Sequence, residues 1–99
     1  MAETRQYELM LVLDPKLDEN EIQQVVDRFV GIITERGGEA VKVDHWGRRK
    51  LAYEIDHKHE GYYVLADLKA DADTVNELDR VLKLADEAMR HKIIRPGKD

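Results

Sequence analysis

The stretch Trp46-Gly47-Arg48-Arg49-Lys50-Leu51-Ala52-Tyr53 packs an aromatic ring, a glycine, three consecutive cations and an apolar alternation into eight residues. Leu51, Tyr53 and Ile55 alternate with Lys50, Ala52 and Glu54, the period-two pattern of a half-buried strand. A glycine inside such a strand permits a bulge or kink. Upstream, Val41 and Val43 alternate with Lys42 and Asp44, so the strand is expected to start at about Ala40. Downstream, Asp56 to Gly61 is polar and reads as a turn. Tyr62, Val64, Ala66 and Leu68 then alternate with Tyr63, Leu65 and Asp67. Two alternating strands around a polar turn predict a hairpin, and the fold is read outward from it.

On the N-terminal side, Tyr7 to Leu13 is almost continuously apolar. Leu9, Leu11 and Leu13 face one way; Glu8, Met10 and Val12 face the other. A strand apolar on both faces is central, or meets a partner with its second face. Asp14-Pro15 stops it, because proline removes a ladder donor. Asp18 and Glu21 have capping-box spacing, and Leu17 with Ile22 can form a hydrophobic staple. Ile22, Val25, Val26, Phe29, Val30 and Ile33 follow at helical spacing, and Gly37-Gly38 closes the helix. On the C-terminal side, a second helix is expected from a cap near Asp73 or Thr74, with Val75, Leu78, Leu82 and Ala85 as its apolar stripe. Met89 to Arg95 reads as a last strand, ended by Pro96-Gly97.

The order is β-α-β-β-α-β. Right-handed crossovers place both helices on one face of a four-stranded antiparallel sheet, the ferredoxin-like α+β architecture. One domain is expected over residues 1–99, with an ordered core over about 5–95. The other sheet face stays uncovered. Met10, Val12, Tyr63 and Leu65 converge on it from adjacent strands, and a contiguous exposed apolar patch marks an interface.

The hydrophobic fraction of 42% suits a soluble globular protein, and no apolar run nears the length of a membrane span. The N-terminus carries no signal-peptide pattern, so a cytoplasmic protein is expected. Cysteine and serine are both absent, which removes disulfides, thiolate metal sites and cysteine or serine nucleophiles. His57 and His59 could offer nitrogen ligands, but they lie in a polar turn and read as solvated residues; no metal and no cofactor is expected. No paired acid and base and no phosphate-binding glycine loop stand out, so an enzyme is poorly supported.

The formal net charge is −5, but it is unevenly spread. Asp14 to Arg36 holds six acidic and three basic residues, and Asp67 to Glu87 seven and three; the remainder holds ten basic against eight acidic. If the acidic stretches are helices, one side of the molecule is acidic and the other mildly basic. Arg48, Arg49, Lys50, Arg90, Lys92 and Arg95 lie on strands or their ends, where cations can meet phosphates. Trp46, Tyr7, Tyr53, Tyr62 and Tyr63 are available for stacking. The competing reading of the arginine run is a charged strand edge that resists aggregation. Gly61-Tyr62-Tyr63-Val64 partly matches the third-strand motif of RNA-recognition domains, but Glu60 stands where a basic residue is needed. A ligand-sensing ferredoxin-like regulatory domain is a further alternative, though such a domain usually accompanies others.

The block Trp46 to Tyr53, together with Tyr7-Glu8, Pro15, Ile55, Gly61-Tyr62-Tyr63 and Arg90, closely resembles the bacterial small-subunit ribosomal protein S-six family over about Arg5 to Arg95. The resemblance implies a structural, non-enzymatic ribosomal protein that pairs with ribosomal protein S-eighteen. Together the two would bind the central domain of the small-subunit ribosomal RNA, with no membrane and no small-molecule substrate involved. By position, Arg5, Tyr7 and Arg90 match family positions near the RNA. Arg5, Tyr7, Arg48, Arg49, Lys50, Arg90, Lys92 and Arg95 are accordingly assigned to RNA. Met10, Val12, Trp46, Tyr63 and Leu65 are assigned to the protein partner. Glu54 departs from the proline of some relatives.

Overall fold

Alternation along β1 (Arg5–Leu13) sends Tyr7, Leu9, Leu11 and Leu13 to one side, where all four are buried. They form the floor of the core in a computed structural model that describes residues 4–55 and 58–96, with side chains described outside 52–58. Helix α1 (Glu19–Glu35) lays Ile22, Val25, Val26, Phe29 and Ile33 on that floor. Helix α2 (Ala72–Leu84) adds Val75, Leu78 and Leu82. The remaining strands are β2 (Glu39–Ile55), β3 (Lys58–Ala70) and β4 (Ala88–Ile94). Their order in the sheet is β2-β3-β1-β4, with every neighbouring pair antiparallel. This is the expected ferredoxin-like arrangement.

The ends of α1 are as the sequence implies. Asp18 accepts from the Glu21 backbone at 2.8 Å, and Glu21 accepts from the Asp18 backbone at 3.0 Å, completing a capping box. At the other end the Gly38 amide reaches the Ile33 carbonyl at 2.9 Å and the Gly37 amide that of Thr34 at 3.1 Å. That pair of bonds is a Schellman closure, and Gly37 takes the left-handed φ of 86° that it requires.

Several boundaries differ from the sequence reading. Helix α2 starts earlier, capped by Asp71, whose carboxylate accepts from the Thr74 amide at 2.8 Å. Thr74 is 2% exposed and faces the core, so it belongs to the helix body instead of the cap. Strand β4 starts one residue earlier, at Ala88. Strand β3 begins at Lys58, four residues before the expected Tyr62, because Lys50 pairs with Glu60 and Ile55 with Lys58. A cation opposite a carboxylate supports a ladder where composition alone suggests a turn.

As a result β2 and β3 outrun the rest of the sheet. β1 ends at Leu13, opposite Tyr62, while the hairpin continues beyond it as a two-stranded arm. The molecule measures 44 × 32 × 22 Å. Arg48 fixes the base of the arm. Its Nε donates to the Pro15 carbonyl at 3.0 Å and its Nη2 to the Leu17 carbonyl at 3.1 Å, tying β2 to the loop between β1 and α1.

Candidate protein and nucleic-acid interface

Both helices cover the face of Leu9 and Leu11, so the opposite face of the sheet is open. Residues directly opposite each other in neighbouring strands share a face. The pairings therefore set side chains in rows across it. Asp44, Leu65, Met10 and Lys92 form one; Gly47, Tyr63, Val12 and Arg90 the next. Lys42, Asp67, Glu8 and Ile94 form a third, and Arg49 with Gly61 extends the face toward the arm. The centre is apolar, Lys92 and Arg90 flank it on β4, and carboxylates from β1, β2 and β3 lie among the remaining positions.

Met10, Tyr63 and Leu65 are half-buried and adjoin one another on this face. Val12 needs correction. It lies on this face, but it is only 1% exposed and already covered within the chain. A β-carbon built on Gly61 would stand 2.3 Å from Val12 Cγ1 and 3.4 Å from Leu51 Cδ2, so bare glycine lets the arm close over Val12. Val12 supports the surface from beneath. Ile94, 44% exposed beside Glu8, joins the face; its parity with Lys92 was the available signal.

Trp46 is the extra residue of a bulge between His45 and Gly47, where Gly47 adopts a φ of 82°. The bulge leaves the indole 48% exposed, with the Arg49 guanidinium 5.0 Å from its centroid. Trp46 and Arg49 thus make one exposed unit at the rim. Tyr62 turns the other way, packs against the core and meets His45 Nδ1 through its hydroxyl at 3.0 Å. With Tyr62 and Tyr63 on opposite faces, paired base stacking in the manner of an RNA-recognition sheet is not available.

The RNA-assigned residues do not form one patch. Tyr7 is corrected to a core residue, 7% exposed and opposite Leu68 on the helix-covered face. Arg48 is corrected to a clamp, since its guanidinium is committed to two main-chain carbonyls. Arg49 and Lys50 are exposed on the arm. Arg90 and Lys92 are exposed on the open face, next to the residues assigned to protein. Arg5 begins β1 opposite Ala70, and Arg95 lines a groove between α2 and β4 with Tyr7, Asn76, Asp79 and His91, at the end remote from the arm. The side chain of Tyr53 and the residues Asp56 and His57 lie outside the described residues. Among the described residues no cluster of three or more metal-ligating side chains occurs.

The displaced titrations belong to the helix layer. Asp79 is held below the usual carboxylate range, first by the His91 imidazole at 2.6 Å and next by Lys83 at 3.0 Å. Glu87 is lowered by its own backbone amide and by Arg28 at 3.2 Å, Asp71 by Thr74, and Glu77 by Arg80, whose own value rises in return. These contacts fasten the helices and leave the open face to its own chemistry.

A family model described as Ribosomal protein S6 matches residues 6–95. The chain belongs to the ribosomal protein S6 family. It is 48% identical over 94 residues to the small ribosomal subunit protein bS6 of Carboxydothermus hydrogenoformans, across 95% of this chain and 98% of that one. It is 50% identical to that of Corynebacterium glutamicum over the same length, covering 99% of the relative. A crystal structure of 30S ribosomal protein S6 from Thermotoga maritima superposes with a TM-score of 0.87 at 34% identity, covering 94% of this chain and 88% of that one. Membership in the S6 family makes this a structural protein of the small ribosomal subunit and not an enzyme.

Proposed function

We propose that this S6-family chain binds the central domain of the small-subunit ribosomal RNA together with ribosomal protein S-eighteen, which docks on the open sheet face. The observation that carries the reading is the half-exposed apolar group Met10, Tyr63 and Leu65, opposite the face covered by the helices. Such a face supports a protein contact better than a polyanion contact, because cations occur only at its margins. The chain's own affinity for RNA is expected to be weak. Its net charge is −5, and the exposed cations assigned to RNA are divided among the arm, the β4 flank and the Arg5–Arg95 end. A partner bringing positive charge would supply the missing counterion release.

A gel-shift titration on a central-domain RNA fragment at one stated salt concentration tests this, with this chain alone, S-eighteen alone and both. Binding far tighter with both is the expected outcome. Leu65→Asp should abolish that gain while the circular dichroism spectrum stays unchanged. Tight binding by this chain alone, or a full gain with Leu65→Asp, would refute the reading.

A further inference from the structure

The open face holds an arrangement that the isolated chain does not explain. Glu8 of β1 stands directly opposite Asp67 of β3 on that face. Opposed side chains in an antiparallel pair have β-carbons about 5 Å apart, and like charges so placed repel. Both residues are half-buried, and among the described residues neither has a hydrogen-bond or ion-pair partner. Lys42, across from Asp67 on β2, turns instead to Asp44 at 3.4 Å. Lys69 lies two residues further along β3 on the same face, opposite Gln6, and Ile94 closes the other side of Glu8. The two carboxylates adjoin the apolar pair Met10 and Leu65, which is the next row of the same face.

We propose that the open face receives a basic surface of its protein partner, with an apolar side chain against Met10 and Leu65 and an arginine or lysine bridging Glu8 and Asp67. This rests on reading the face as the seat of S-eighteen. Charge complementarity argues the occupant. A guanidinium carries five donors in a planar fork and can satisfy both carboxylates at once. It would convert a repulsion in the free chain into two charge-assisted hydrogen bonds in the complex. A partner that must also compensate a net charge of −5 in binding RNA is itself expected to be basic. A bridge that only a cationic side chain can make also selects that partner over a neutral apolar surface.

The test compares Glu8→Gln, Asp67→Asn and their combination with Glu35→Gln, which makes the net-charge change of either single variant in the last turn of α1. Two quantities are measured: calorimetric affinity for purified S-eighteen, and the stability of each variant alone in urea. The double variant alone should be as stable as the parent or more so, because it loses only a repulsion. Its affinity for S-eighteen should fall at least tenfold, and the salt dependence of pairing should become shallower. Glu35→Gln should pair normally. Undiminished pairing of the double variant, or an equal loss with Glu35→Gln, overturns the inference. Should the double variant fold poorly, the parent's own pairing decides: affinity that falls with added salt supports the ionic bridge, and salt-independent pairing overturns it. Failure of the parent itself to pair at any salt would instead defeat the broader reading of the face, and the two failures are thereby distinguished.

Discussion

Arg48 and Arg49 adjoin in the chain, yet their guanidinium groups meet unrelated partners. Arg48 donates to the carbonyls of Pro15 and Leu17, while Arg49 lies over the exposed Trp46 ring. Arg48→Ala should therefore cost about 1–2 kcal/mol of stability, the range for hydrogen bonds from a charged donor tempered by exposure. Arg49→Ala should leave the urea midpoint unchanged. Equal effects in equilibrium denaturation would contradict this division. The sequence presents the two residues as one basic run, and nothing in their spacing says that a loop more than thirty residues away ends within reach of the first. Tyr7 misleads in the same manner: an aromatic near a basic terminus suggests stacking, whereas its parity with Leu9 and Leu11 already places it in the core. The Glu8–Asp67 pair could not be read, because it depends on the register between two strands separated by a helix and a strand.

At the scale of elements, the two helices and the four strands were legible because each has its own period. Caps gave the start of α1 to the residue, and Gly37-Gly38 gave its end. The arm was not legible. Its outer half is polar, so composition makes it a turn, whereas pairing of Lys50 with Glu60 carries the ladder outward. The arm's seat on the sheet depends on Gly61, where a β-carbon would stand 2.3 Å from Val12 Cγ1. Gly61→Ala should destabilise the chain by about 1–3 kcal/mol, the usual cost of overpacking. It should also raise the accessibility of Val12, read as faster amide exchange around the end of β1. A neutral effect on both would mean that the arm lies looser than described.

For the molecule as a whole, acid should loosen the attachment of helices to sheet before it affects the open face. Asp79 and Glu87 have carboxyls held below their ordinary values of 3.8 and 4.5, chiefly by His91 and by a backbone amide respectively. A carboxyl whose folded-state value is depressed binds its proton more readily in the unfolded chain. Its contribution is present above the unfolded value and is lost as pH falls through the folded one. Stability should thus hold above about pH 4.5 and decline below it, more gently in Asp79→Asn, as followed by thermal unfolding at stepped pH. The strand order has a consequence for synthesis. β1 is the first of the six elements and sits between β3 and β4, so its second edge must wait for Ala88–Ile94, the last of them. Local helices can form as they emerge, but the sheet closes only through contacts spanning most of the chain, which makes completion slow and late. The open face of the sheet is therefore complete only once β4 has joined its edge.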